Sequence, residues 1–418
     1  MMTLNQLRDA VTGDAVAVRA TVELQPAGGP GDKVFPPTYS TTGEYQYAYE
    51  QRIVEGEETT TVLLDSVASQ ANRLETALLN GWELGELAFP LAYVDFRHAD
   101  GLGDLDRVTV LEAPHRIVDA IFRDSLLDDT LFRLSDIGIR ITEATPRDAT
   151  GLFVYSPTAL LFGIWDSTGP KGGLGAKFQR ALVSEIVGHE ARFGQKTSSR
   201  IDPLGIEREA GKIYKHADPD QDWTLHPDEA EKDSKGQPIL FRRGSGQSDE
   251  DGRPSMINHG NVTPGIDTRA GGVTISKATQ TTVLSLAALR RIRFVHDRDG
   301  APLDGRRRDA EVAARTALAA LGLAALMYGY EQDYDLRSRC LLVPTAPPEL
   351  ELLRRDGSKD TLELDRERSA ALVAAAAEAA AAAGLAWHEE DIALEPAPKL
   401  VELVRRSRHL ASADVPGD

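Results

Sequence analysis

Between Pro157 and Gly188 the chain gathers residue types that can hold an anion: Lys171, Lys177 and Arg180, set among Gly169, Gly172, Gly173 and Gly175. A glycine turn lets another backbone come close, and the first N–H groups of a helix starting behind such a turn would add donors to the cations. Phosphate is the ligand that this combination suits. The run GPKGGLGAK departs from the Walker pattern, because Ala176 stands before Lys177 where glycine is required and Phe178 follows where Ser or Thr belongs. The dinucleotide pattern fails as well, since Phe178 takes the position of its third glycine. These departures point to a repeated, open contact with a polymer's phosphates, for which Lys171, Gly172, Gly173, Lys177, Arg180 and Ser184 are the central candidates.

Other polar sets support the same chemistry. Ser69, Gln70, Asn72 and Arg73 fall in one predicted helix and suit ribose hydroxyls and phosphate oxygens. His115, Arg116 and Arg123 share the outer face of another, and Arg290 and Arg291 sit at a predicted helix end. Asn258, His259 and Asn261 surround Gly260 in a polar segment. Imidazole titrates near neutrality, so His259 could serve as a general base. A phosphate-handling or RNA-processing enzyme, using the Gly-rich turn and His259, is therefore the alternative reading. No HExxH pair, no G-x-S-x-G elbow and a single cysteine, Cys340, leave no expected metal, nucleophile, disulfide or cofactor.

The elements that must position these residues follow from apolar spacing. Strands are predicted over 15–24, 59–64, 91–96, 107–111, 137–141, 159–165, 272–276 and 339–343. A helix over 66–80 buries Val67, Ala71, Leu74 and Leu78, with Gly81 closing it in the left-handed conformation. Pro114 opens a helix that buries Ile117, Val118, Ile121 and Phe122. Phe178, Leu182 and Ile186, four apart, predict a helix from 176, and further helices are predicted over 280–294, 309–327, 369–384 and 399–410. Residues 195–272 are polar and rich in Gly and Pro, which reads as an extension leaving the core and returning to it. The division is thus 1–194, 195–272, 273–410 and a disordered tail 411–418, around an α+β core.

Composition limits the partners. A formal net charge of -18 over 418 residues argues against indiscriminate coating of nucleic acid, so any such surface is a local basic groove on an acidic body. No run approaching the ~20 apolar residues of a membrane span is read, and the N-terminus lacks an apolar signal core, so a cytoplasmic protein without a membrane partner is expected.

Five runs together, LLDSVASQANRLE (63–75), HRIVDAIFRDS (115–125), PTALLFGIWDS with GGLGAKFQRALVSEIVG (157–188), NHGNVTP (258–264) and QTTVLSLAALRRIRF (280–294), resemble the backbone subunit of type I-G CRISPR effector complexes, once called type I-U. That family belongs to the RAMP superfamily. The resemblance runs over about residues 60–410 and implies an RRM-like, ferredoxin-like palm with large finger and thumb insertions, 195–272 being the thumb candidate. It also implies a non-catalytic subunit that polymerises head to tail along CRISPR RNA and presents guide bases to target DNA in antiviral defence. Other Cascade subunits would cap the filament and a nuclease-helicase would be recruited. Stacking aromatics of an RRM sheet are not evident, so base displacement would fall to Met256, Ile257 or Val262.

Overall fold

The structure, a computed structural model, describes residues 2–54, 56–169, 175–244, 246 and 248–413, with side chains through Leu410. The chain forms two compact units. One comprises Met1–Ser40, Tyr47–Arg192 and Val273–Val401, and the other Thr41–Gln46, Phe193–Gly272 and Glu402–Asp418.

The larger unit is an α+β assembly built on one long strand, β1 (Ala15–Pro26). Helix α1 (Leu4–Thr12) precedes it and is held by a capping box, in which Thr3 and Gln6 satisfy each other's backbone N–H groups. The hairpin β2 (Tyr49–Val54) and β3 (Glu57–Asp65) leads through the Ser66 N-cap into α2 (Val67–Glu83). The strands β4 (Leu182–Gly188) and β5 (Ala278–Ser285) follow, then helix α3 (Arg307–Tyr330), β6 (Tyr334–Asp335), β7 (Leu341–Pro344), β8 (Glu349–Arg354) and β9 (Lys359–Thr361). In the sheet the order is β6-β7-β1-β5-β4-β3-β2, and β8 pairs with β1 on the same edge as β7.

Register decides the two faces. Val18, Leu284 and Leu182 are directly opposed, as are Ala20, Thr282 and Ser184, and these point toward the helices. Arg19, Val283 and Val183 alternate with them and point the other way. Strands β1 and β4 are each antiparallel to β5 and therefore parallel to one another, with α2 in the connection between them. Helix α3 likewise lies between β5 and β8, giving two split β-α-β units. A smaller five-stranded sheet pairs Ala92–Asp95 with Arg107–Thr109 and Ile392–Pro396, the last of these also meeting Ser125–Leu127.

Helix α3 packs against α1, α2 and helix α4 (Arg366–Ala382), with Ala317–Ala320 and Leu323–Ala325 wholly buried. Contrary to the hydropathy reading, Asp304–Tyr330 has the length and apolarity of a membrane span, yet it is almost entirely enclosed by the protein as a core helix.

Several sequence expectations are overturned here. Residues 159–165 are not a strand: Thr158–Phe162 is a short buried helix, followed by a two-residue strand, Ile164–Trp165. No helix begins at 176, because Lys177–Phe178 and β4 are strands. Leu182 and Ile186 are four apart, and four is a multiple of the strand period as well as near one helical turn; the pairing of Leu182 with Leu284 and of Ile186 with both Gln280 and Asp65 settles it. Gln280–Ser285 is strand β5, and only Leu286–Leu289 of the predicted 280–294 helix is helical. Ile137–Ile141 lies within a helix, Asp136–Thr142, capped by Ser135. Asp119 breaks the helix predicted after Pro114 into a 3-10 turn, Arg116–Val118, and one turn of α-helix, Ala120–Arg123. Gly81 does not end α2 but lets it meet α3, since a Cβ there would come within 2.6 Å of the Tyr328 ring. Helix α5 (Pro398–Ala413) runs into the expected tail, of which 414–418 lie outside the described residues.

Candidate nucleic-acid interface

The candidate surface is built on a small ribbon. After the helix Thr158–Phe162, Gly163 turns the chain with φ 77, and its O accepts from Arg116 at 2.9 Å. A Cβ at Gly163 would lie 2.9 Å from Phe178 O and 2.9 Å from Arg180 N, so only glycine permits this crossing. The ribbon then pairs Ile164 with Phe178 and Trp165 with Lys177. Alternation sends Ile164 and Phe178 into the core and Trp165 and Lys177 outward. Trp165 is 57% exposed, and the Lys177 ammonium lies 5.1 Å from its ring centroid. The Gly-rich segment thus joins the two strands of a hairpin; Lys171, Gly172 and Gly173 lie outside the described residues.

Lys177 and Arg291 line one cleft of about 290 Å³ with Pro146 and Gln179, floored by Leu160, Phe178 and Ile292. Arg180 is exposed beside Gly163, and Arg147 is exposed beside Pro146. Among the described residues no carboxylate lies within ion-pair distance of Lys177, Arg180 or Arg291, and none lines the cleft. The result is a local positive surface with one aromatic plane, suited to a phosphodiester and a base or ribose beside it. Trp165, Gln179 and Arg147 went unnoticed in the sequence; a tryptophan directly before a Gly-rich turn was the available signal.

The other predicted contacts separate into two groups. Asn72 and His115 are exposed and available, Ser69 is half-buried with its N–H donated to Ser66 Oγ, and Arg123 pairs with Asp124 at 2.5 Å. The remainder are committed to the fold. Gln70 is buried, donating to Asp65 at 2.6 Å and accepting from Ser184 Oγ at 2.9 Å and Gln280 at 2.7 Å. Ser184 therefore faces the interior of the sheet-helix layer rather than a ligand. Arg73 donates to Asp65 at 3.0 Å and to Leu336 O at 2.7 Å. Arg116 is buried and forms a two-pronged pair with Glu75 at 2.6 and 2.8 Å. Burial pushes the Glu75 carboxyl above the usual glutamate range, against the pull of Arg116 and Arg180. Arg290 donates to Ala10 O, Val11 O and Ala15 O, closing the end of α1, and burial lowers its pKa. Among the arginines the corrections share one cause: a long cationic side chain reaches backbone carbonyls or a buried carboxylate before it reaches solvent, whereas Ser184 and Gln70 satisfy each other inside the sheet-helix layer.

In the smaller unit Asn258, His259 and Asn261 form a turn about Asp202. Gly260 N–H donates to Asp202 Oδ2 at 2.5 Å, Leu204 N–H to its Oδ1 at 2.8 Å, and these hold its carboxyl below the usual aspartate range. Asn261 Oδ1 accepts from Asp202 N–H at 2.8 Å, and His259 Nδ1 lies 3.7 Å from Asp202 Oδ2. Asn258 has φ 59, and its carboxamide oxygen accepts from Arg243 at 2.9 Å. The turn carries Ile201 and Leu204, both strongly exposed, beside the ribbon Lys196–Arg200 with Val262–Asp267. Val262 is exposed there too, whereas Met256 and Ile257 are half-buried in a 3-10 turn. The helix start behind the Gly-rich turn, whose N–H groups would add donors to the phosphate contact in either reading, is absent, since strand residues stand there, and the cations alone remain.

Residues 18–193 match the family described as CRISPR-associated protein GSU0053, a stretch that contains most of β1, all of β2 to β4 and the Lys177 ribbon. No curated protein matches the chain.

Proposed function

We propose that this chain, a CRISPR-associated protein by its match over residues 18–193, is a non-catalytic backbone subunit that binds guide RNA by its phosphates. In this reading several copies polymerise head to tail along one CRISPR RNA in a type I-G complex of the cytoplasm and leave the guide bases free to pair with target DNA. Other Cascade subunits cap the ends and a nuclease-helicase is recruited to the assembly. The observation that carries the reading is the group Lys177, Arg180 and Arg291, exposed without a carboxylate partner among the described residues of a chain whose net charge is -18. Cations in such a setting attract a polyanion, and a contact made through phosphate is indifferent to sequence.

The strand arrangement supports an RRM-like palm: two split β-α-β units share one antiparallel sheet, with 189–277 inserted between β4 and β5. The open face of that sheet is a poor alternative seat for RNA. Its cations are matched by carboxylates, Arg52 with Glu185 at 2.9 Å, Lys277 with Glu23 at 3.0 Å, and Arg19 with Glu351. Exposed Ile201, Leu204 and Val262 in the smaller unit are the side chains suited to pushing a base aside.

The test is binding of several unrelated guide RNAs as a function of salt. Lys177→Ala with Arg180→Ala should weaken all of them alike and flatten the log-log salt slope by ~0.7 per lost phosphate contact. Unchanged affinity and slope would remove this surface from the account.

A further inference from the structure

Helix α5 leaves an unusual face uncovered. Lys399, Leu403, Arg406 and Leu410 follow at spacings of four, three and four, which sets them on one stripe, and Leu403 and Leu410 are 64% and 62% exposed. The helix is basic in sequence, with Lys399, Arg405, Arg406 and Arg408 and one carboxylate, Glu402; Lys399 pairs with Asp124 at 2.8 Å and Arg406 with Glu402 at 2.7 Å. A contact made through phosphate alone would have no use for two exposed leucines, one inside that stripe and one at its end. An acidic surface with apolar side chains of its own would.

The chain carries such a surface in its smaller unit. The hairpin Tyr214–Lys215 with Trp223–Thr224 presents Asp218, Asp220 and Asp222 at its tip, and Trp223 and Leu225 beside them are 40% and 51% exposed. Its base is fixed, since Thr224 is buried and donates to Glu229 at 2.7 Å, and Lys215 pairs with Glu231 at 2.7 Å. The two patches complement one another in charge and in apolarity, yet both stand exposed in the single chain and so do not cover each other. We infer that helix α5 of one copy docks on the acidic hairpin 214–225 of a second copy of this chain, Leu403 and Leu410 packing on Trp223 and Leu225. Two different patches joined in this way make an open, head-to-tail contact that repeats with each added copy. The inference rests on the reading above that several copies share one guide RNA.

The experiment uses the full chain with its guide RNA. Leu403→Cys in one tagged preparation is mixed with Leu225→Cys in a differently tagged one and oxidised; Cys340 is buried and stays out of the reaction. A disulfide joining the two tags is expected. Leu403→Asp with Leu410→Asp should reduce loading of successive copies by about tenfold or more, as loss of an apolar anchor does, while leaving binding to an RNA long enough for one copy unchanged. Particles that hold several copies without the cross-link would overturn this contact and leave the backbone reading standing. Weaker binding of the one-copy RNA by the aspartate variant would assign the helix to nucleic acid instead, against the inference. If the wild-type chain loads a single copy on a long guide, the backbone reading fails and the docking contact with it.

Discussion

Arg116 and Lys177 look alike as letters, each a cation near aromatic and polar neighbours, and they end in opposite surroundings. Arg116 is enclosed and engages both oxygens of Glu75, whereas Lys177 stands outside with a tryptophan ring as its neighbour. Removing one partner of a buried pair leaves a charge without compensation, so Arg116→Ala should lower stability by about 3–5 kcal/mol. Lys177→Ala should change it by no more than about 0.5 kcal/mol, the range of an ordinary surface substitution. Urea unfolding of the two variants makes the comparison; equal midpoints would contradict the assignment. Sequence alone could place the cations but not their fates, because whether Arg116 meets phosphate or Glu75 depends on a helix forty residues earlier. Lys177, Arg180 and Arg291 were legible as candidates, and Gln70, Ser184 and Arg290 were misread for the same reason that Arg116 was.

At the scale of elements, the sequence conveyed the long segments and failed at the short ones. Helix α2 repeats its apolar residues long enough to declare a period, β3 is marked by its β-branched run, α3 by an apolar run on nearly every side and α4 by its alanines. Strand β4 has no such mark, and its spacing of four fits both periods until two neighbouring strands are known. Helix α3 carries a prediction of its own. Its first turns place Glu311 among Arg307 at 3.1 Å, Arg315 at 2.9 Å and Arg293 at 2.9 Å. Burial works to raise the Glu311 pKa, and the arginines, Arg315 first, outweigh it and hold the carboxyl below the usual glutamate range. A carboxyl depressed in the folded state adds stability above its unfolded pKa, and that share disappears as pH falls through the usual value toward the lowered one. Thermal unfolding from neutral to acidic pH should therefore show a shallower acid limb for Glu311→Gln than for the wild type. Parallel profiles would show that the cluster contributes nothing.

For the whole molecule, the arrangement of insertion and sheet makes a separable design. Strands β4 and β5 remain paired at their outer ends, where His189 N–H donates to Lys277 O at 2.8 Å and Ser276 N–H to His189 O at 3.0 Å. Gly194 N–H donates to Gly272 O at 2.8 Å, so the chain leaves and returns at neighbouring points. Replacing residues 195–271 by ~4–6 Gly and Ser residues closes a short loop at little entropic cost, and the larger unit should keep a cooperative thermal transition. Circular dichroism on heating would check it, and loss of cooperativity would mean that the excised segment is needed for the core. Legibility at this scale was limited by strand order, which no single sequence encodes: that β1 lies between β5 and β7 is a matter of contacts across hundreds of residues. The enclosed helix α3 has one more consequence, for synthesis. It leaves the ribosome before α4, the helix that covers one of its sides. At ~5–20 residues per second, the nascent chain spends some seconds displaying a segment long and apolar enough to cross a membrane. Chaperone demand during translation should accordingly peak in that interval, and slowing elongation once α3 has emerged but α4 has not should favour aggregation over yield.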